Sequence, residues 1–200
     1  KRSLVQDYRL QGRGGQGVVS AAEVLSLAAF SQGRHAQAFP SFGSERTGAP
    51  VVSFCRIDDQ EIRLREPIML PDALIIQDPT LLHQVNVFQG LKPDGYVLIN
   101  TSRSFEQLGI GEIARGRRPE RLCTVPATEL ALKHIGRPMP NIVLLGGFAA
   151  LSGLIDIPAL AKAVREKFPG KIGEDNIVAA SAAFEYVQKE MQQIQEAAHA

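Results

Sequence analysis

The stretch YRLQGRGGQGVVSAAEVLSLAAFS, residues 8–31, decides how the rest of the chain is read. A short strand runs through Leu10 and stops at four glycines within six residues, Gly12, Gly14, Gly15 and Gly17. Beyond them Val18, Ala21, Ala22, Leu25, Ala28 and Ala29 recur at helical spacing. That spacing predicts a helix from about Gln16 to Ser31, with Gly33 as its stop. Each glycine loses more backbone freedom on folding than any other residue, so a turn built from four of them serves a purpose. A strand–turn–helix unit of this kind brings unpaired N–H groups and the positive end of a helix to one point. It also opens an α/β domain.

Downstream, His35 to Phe39 reads as a second strand, followed by the turn-rich PSFGSERTGAP, residues 40–50. VVSFCRI and EIRLR flank Asp58-Asp59-Gln60 and are expected to form an antiparallel hairpin. DALIIQD, residues 72–78, is continuously apolar, as a strand buried on both faces of a parallel sheet should be. PTLLHQVNVF after it reads as helix, and Pro93-Asp94-Gly95 as a turn into the strand YVLIN, residues 96–100. Thr101 or Ser102 can cap a helix through Ile113; RLCTVPA supplies a strand and TELALKHIG a helix closed by Gly136. Everything from Asn141 onward reads as helix. The fold class expected is α/β and three-layered, with a mainly parallel sheet, an antiparallel hairpin and a helical C-terminal segment, all in one domain over residues 1–200.

Composition narrows the function. A hydrophobic fraction of 44% and a charged fraction of 22% are those of an ordinary globular domain. The net charge of +1 is no footprint for nucleic acid. The dense basic stretch Arg115–Arg121 is broken by Gly, Pro and Glu and reads as a solvated loop, or else as an anion or partner contact. Two lone cysteines, Cys55 and Cys123, are too few for an iron–sulfur cluster or a structural zinc. The four histidines lack paired ligand spacing, so no metal is assigned. With no signal peptide and no long apolar run, a cytoplasmic chain without membrane association is expected.

Gly12-x-Gly14-x-x-Gly17 fits the dinucleotide fingerprint, but that fingerprint also needs an acidic residue at the end of the second strand. HAQAFPSF ends without one, and no acid follows until Glu45. No lysine follows the glycines, which excludes a nucleotide-hydrolysing P-loop. A stand-alone NAD(P)-binding protein, another phosphate cradle and a purely structural turn therefore stay open. Gln16, a polar amide at a helix start, is placed to meet a ligand or partner group. Ser44, Glu45, Arg46 and Thr47 follow the second strand, on the sheet edge where open α/β sheets bind ligands.

GRGGQGVVSAAEVLSLAA, AFPSFGSERTGAPVVSFCRI, PDALIIQDPTLL and NIVLLGGFAAL, in this order from about Leu10 to Tyr186, resemble the gamma subunit of 2-oxoacid:ferredoxin oxidoreductases. FGSERTGAPV is similar to the pyruvate-type branch, with Thr47 standing where many such relatives carry a second arginine. The resemblance implies a complex with alpha, beta and delta-type subunits. That complex oxidatively decarboxylates a 2-oxoacid and passes electrons to ferredoxin or another acceptor. It uses thiamine diphosphate, Mg2+, [4Fe-4S] clusters and coenzyme A. The thiamine site and the clusters lie on partner subunits, so this chain is expected to hold no cofactor and no catalytic residue of its own. Gly12, Gly14, Gly15, Gln16 and Gly17, with Ser44, Glu45, Arg46 and Thr47, become loops near coenzyme A or at a subunit interface. A pure scaffold subunit is the remaining alternative. The apolar helices NIVLLGGFAAL and VAASAAFEYV are expected to pack in the core or against partners.

Overall fold

The strand that opens the glycine turn becomes the middle of the molecule. The computed structural model describes residues 5–41 and 47–200. Strand β1 (Gln6–Arg13) leads through the glycines into α1 (Val18–Ser31), then β2 (His35–Pro40) and β3 (Pro50–Asp58). Next come β4 (Ala73–Ile76), β5 (Tyr96–Asn100), the short α2 (Gly111–Ala114), β6 (Leu122–Val125) and α3 (Ala127–His134). Helices α4 (Asn141–Ser152), α5 (Ile157–Lys167) and α6 (Lys171–His199) close the chain.

The six strands form one sheet in the order β2-β3-β1-β4-β5-β6. Strands β1, β4, β5 and β6 are parallel. Strand β3 runs antiparallel to β1, from Gln6 opposite Ile57 to Arg13 opposite Pro50, and β2 runs antiparallel to β3. The α/β class and mainly parallel sheet expected from the sequence are therefore present, with β2 and β3 as the antiparallel pair. EIRLR is not the hairpin's second arm: residues 61–65 form no strand. Both edges of β3 are already taken, one by β1 and the other by β2, which leaves 61–65 no ladder to join.

Side chains alternate across the sheet and build two unlike faces. Tyr8, Leu10, Cys55, Ile57, Ala73, Ile75, Leu98, Cys123 and Val125 point to one face, under α1 and α3–α6. Helix α4 lies deepest, with ten of its twelve residues buried. Glycine allows this: a Cβ on Gly146 would sit 1.9 Å from the Ala180 carbonyl oxygen of α6. The helix NIVLLGGFAAL is thus core. Tyr8 meets Phe148 of α4 edge to face, ring centroids 5.2 Å apart.

The opposite face is covered by turns. Leu74, Ile76, Val97, Ile99 and Leu122 pack there against Leu81, Val87, Leu91 and Leu108. The helix expected over PTLLHQVNVF shrinks to a 3-10 turn at Pro79–His83, capped by the Asp78 side chain on Thr80 N. Buried Gln11 donates Nε2 to the Val87 carbonyl at 2.9 Å, which occupies an acceptor a continuing helix would need. The helix expected to run through Ile113 is likewise reduced. Ser104 and Gln107 cap each other's backbone N–H reciprocally, but Gly109, at φ 76°, ends that turn before α2 begins.

Candidate functional site

Each glycine of the first loop has its own reason to be there. A Cβ on Gly12 would meet Val18 Cγ2 at 2.6 Å and Gln16 Oε1 at 2.9 Å, so strand and helix can approach only over a glycine. Gly17, the N-cap of α1, is left-handed (φ 70°), and a Cβ there would meet Asn141 Nδ2 at 2.4 Å. Gly15 adopts φ 89° with open space beyond it, so conformation alone requires glycine there. Gly14 donates its N–H to the Ala49 carbonyl at 2.8 Å and accepts from Gly48 N at 3.2 Å. It thereby forms an isolated parallel bridge with Thr47.

The two loops expected to share one edge of the sheet are therefore joined by backbone hydrogen bonds, at Gly14 on one side and Thr47–Ala49 on the other. Ser44, Glu45 and Arg46 lie outside the described residues. Among the described residues no side chain caps the first turn of α1. Beside that turn is a cleft of about 100 Å³ lined by Arg13, Gly14, Gly15, Gly17 and Val51 among others. Its size suits a phosphate or carboxylate group rather than a whole cofactor, since pockets for drug-sized ligands span roughly 300–1,000 Å³.

Gln16 turns inward. Its Oε1 accepts from Arg13 N at 2.8 Å and its Nε2 donates to Asp78 Oδ2 at 2.8 Å. Both ends of the amide are thus held within the chain, and Gln16 braces the turn from inside.

The residues that sequence reasoning passed over are Arg13 and Asp78. Arg13 Nε stands 3.2 Å from Asp78 Oδ2, with both side chains mostly buried. The same guanidinium donates to Thr80 Oγ1, to Gln84 Oε1 at 2.7 Å and to the Gly48 carbonyl at 3.0 Å. One arginine thus ties the ends of β1 and β4 to the second loop. Burial alone would push the Asp78 carboxyl up. The Thr80 hydroxyl, the Gln16 amide, the Thr80 N–H and the Arg13 charge outweigh it and hold the group below the ordinary aspartate value. Only strand pairing could have shown this: Gln11 lies opposite Ile76, which sets Arg13 opposite Asp78 two positions on.

A polar chain continues along the edge. Gln77 Nε2 donates to the Gln16 carbonyl, and Asn100 Nδ2 donates to the Gln77 carbonyl and Thr128 Oγ1. Asn100 Oδ1 accepts from Ala127 N and Thr128 N at the start of α3, and Asn141 Nδ2 donates to the Gly17 carbonyl.

Other sequence candidates are settled by their contacts. Arg117 and Arg121 donate to the carbonyls of Lys92, Pro93 and Asp94, and Arg121 stacks over Tyr96 at 4.7 Å. The basic stretch is thus anchored to the turn before β5. Cys55 on β3 and Cys123 on β6 have three strands between them, about 19 Å at roughly 4.8 Å per strand, too far to share a cluster. Burial raises both thiols, Cys123 to about 12. Among the described residues no three His, Cys, Asp or Glu side chains converge as a metal site. No described helix is long and apolar enough to cross a membrane. The dinucleotide reading meets a topological obstacle as well. Its acidic residue ends the strand beside β1, whereas here β3 separates β2 from β1.

Fold and edge together define an α/β domain with a glycine turn braced by an Arg–Asp clamp. Residues 7–186 match the family model described as pyruvate ferredoxin/flavodoxin oxidoreductase, and the chain belongs to that family. It is 46% identical over 183 residues to the pyruvate synthase subunit PorC of Methanothermobacter thermautotrophicus, covering 92% of this chain and 96% of that protein. It is 44% identical to the pyruvate/ketoisovalerate oxidoreductases common subunit gamma of Pyrococcus abyssi, covering 91% and 97% of the two chains. Among solved structures, pyruvate oxidoreductase subunit PORC of Thermotoga maritima superposes with a TM-score of 0.77 at 33% identity, over 90% of this chain and 96% of that one.

Proposed function

We propose that this chain is the gamma subunit of a multi-subunit 2-oxoacid:acceptor oxidoreductase, which converts a 2-oxoacid and coenzyme A to acyl-CoA and carbon dioxide and passes the electrons to ferredoxin or another acceptor. The family match over residues 7–186 carries this reading. The named relatives, of nearly the same length, are themselves subunits rather than whole enzymes. In this reading the thiamine diphosphate, Mg2+ and [4Fe-4S] groups belong to alpha, beta and delta-type partners, as the family resemblance implies. This chain's own contribution is to bind and position. A stand-alone NAD(P) enzyme is disfavoured by the missing acid and by the interposed β3.

The joined loops form one edge of the coenzyme A path in this proposal. Gly14, Gly15, Gln16 and Gly17 shape the uncapped first turn of α1, whose N–H groups suit a phosphate. In this proposal Ser44, Glu45, Arg46 and Thr47 would supply a guanidinium and hydroxyls to the same ligand. Arg13 holds both loops in register. Arg46→Ala should then weaken coenzyme A binding by about 1.5–3 kcal/mol, the scale of a charged hydrogen bond, and leave decarboxylation without coenzyme A nearly unchanged. An intact complex with an unchanged coenzyme A constant would remove Arg46 from the path. Loss of all partial reactions together would make the loop a subunit contact instead.

A further inference from the structure

Three arginines, Arg9, Arg13 and Arg56, project from β1 and β3 onto the face that the long helices leave open. Two have acidic partners: Arg13 pairs with Asp78, and Arg56 with Asp7 at 2.8 Å. Arg9 differs. It donates to the carbonyls of Gln89, Ile68 and Met69, and no carboxylate of the described residues lies within 4.0 Å of it. Burial lowers its pKa from the ordinary arginine value, and no anion among the described residues offsets that cost. Arg9 also lines a groove of about 530 Å³. The groove's other walls are mainly apolar, including Phe54, Ile68, Met69, Leu70 and Val85. Of these, Met69 and Leu70 are more than half exposed and Val85 is 39% exposed. A half-buried cation with only carbonyl partners, set among exposed apolar side chains, is charge-complementary to a carboxylate carried on an apolar surface.

We infer that this groove is a docking surface for an apolar segment of a partner protein chain bearing an Asp or Glu, whose carboxylate completes Arg9. The inference rests on the subunit reading, which makes the partner another subunit of the same oxidoreductase. The groove lies on the open face and meets the cleft beside α1 at Val51; Arg9, Met69, Leu70 and Val85, on which the inference rests, do not line that cleft.

The test co-expresses the full chain with alpha, beta and delta-type subunits and measures assembly by native mass spectrometry and by titration of the partner subcomplex. Failure of the wild-type chain to assemble would overturn the subunit reading itself. If wild type assembles, Leu70→Asp should weaken association more than about tenfold, the scale of a hot-spot side chain, without lowering the isolated chain's melting temperature. Arg9→Gln should weaken it comparably, Arg9→Lys should recover part of the loss, and Val178→Asp on the exposed side of α6 should bind as wild type does. Association within twofold of wild type for both Leu70→Asp and Arg9→Gln would sink the inference. So would dimerisation of the isolated chain that Leu70→Asp abolishes, since the groove would then seat a second copy.

Discussion

The two faces of the sheet solve opposite problems. Under α1 and α3–α6 nearly every side chain is apolar, and contact is so close that Gly146 and Gly173 each face a carbonyl oxygen 1.9 Å from where a Cβ would lie. Across the same strands, Asp7, Arg9, Gln11, Arg13 and Arg56 are satisfied by turns, carbonyls and two aspartates. One face is held by shape; the other adds to its apolar cluster over β4–β6 a set of hydrogen-bonded strand ends on β1 and β3. The difference teaches where function can sit. Where α4 and α6 touch through Gly146 there is no room for a ligand, whereas polar strand ends covered by turns can present loops.

The sharpest way to break the comparison is at Gly146. Gly146→Val should cost more than about 3 kcal/mol or prevent folding, because backbone on α6 cannot yield as a side-chain tip can. Urea denaturation of the variant reads this directly. A loss below 1 kcal/mol, roughly that of an ordinary helix-surface change, would mean that α4 and α6 are less closely apposed than described.

On the polar side, Asp78→Asn should cost about 2 kcal/mol at pH 7, the scale of hydrogen bonds to a charged group. The sign in pH follows from the lowered carboxyl. Its folded value lies below the unfolded value, about 3.9, so its contribution is complete above that pH and is lost as pH falls through the folded value. Melts of wild type and Asp78→Asn should therefore converge in strong acid. Parallel curves at all pH values would show that the carboxylate charge is not what holds the clamp.

Gly15→Ala should cost about 1 kcal/mol, the left-handed penalty alone, since nothing lies within 4 Å of the added methyl. The smallest effect belongs to Tyr8. Its buried hydroxyl finds no hydrogen-bond partner among the described residues, and burial first, then nearby Cys55, pushes its phenol far above the ordinary value. Tyr8→Phe should be neutral or stabilising by up to about 1 kcal/mol in thermal denaturation, because an orphaned polar group is removed. A clear loss of stability would reveal an acceptor for that hydroxyl.

Legibility differed between the two faces. The apolar periodicity of α1, the buried run of β4 and the bounds of β5 were visible because local spacing reports burial directly. The EIRLR segment misled for the same reason. It has a plausible hairpin neighbour in sequence, but β2 competes for that edge through a longer connection. Of the site, the glycines were legible because a turn with positive φ at Gly15 and Gly17 tolerates little else. Gln16 carried the right polarity for a ligand, yet its amide is consumed by Arg13 and Asp78.

By itself, then, the sequence determined which segments bury, where the chain turns, and the ordered motifs that place it in its family. Those are properties of residues close along the chain. Only the tertiary structure decided that β3 inserts between β2 and β1, that Gly14 bonds to the second loop, and that Arg13 meets Asp78. Each of these joins residues tens of positions apart, and pairing across such distances depends on which strand edges and buried donors remain unclaimed once the core has packed.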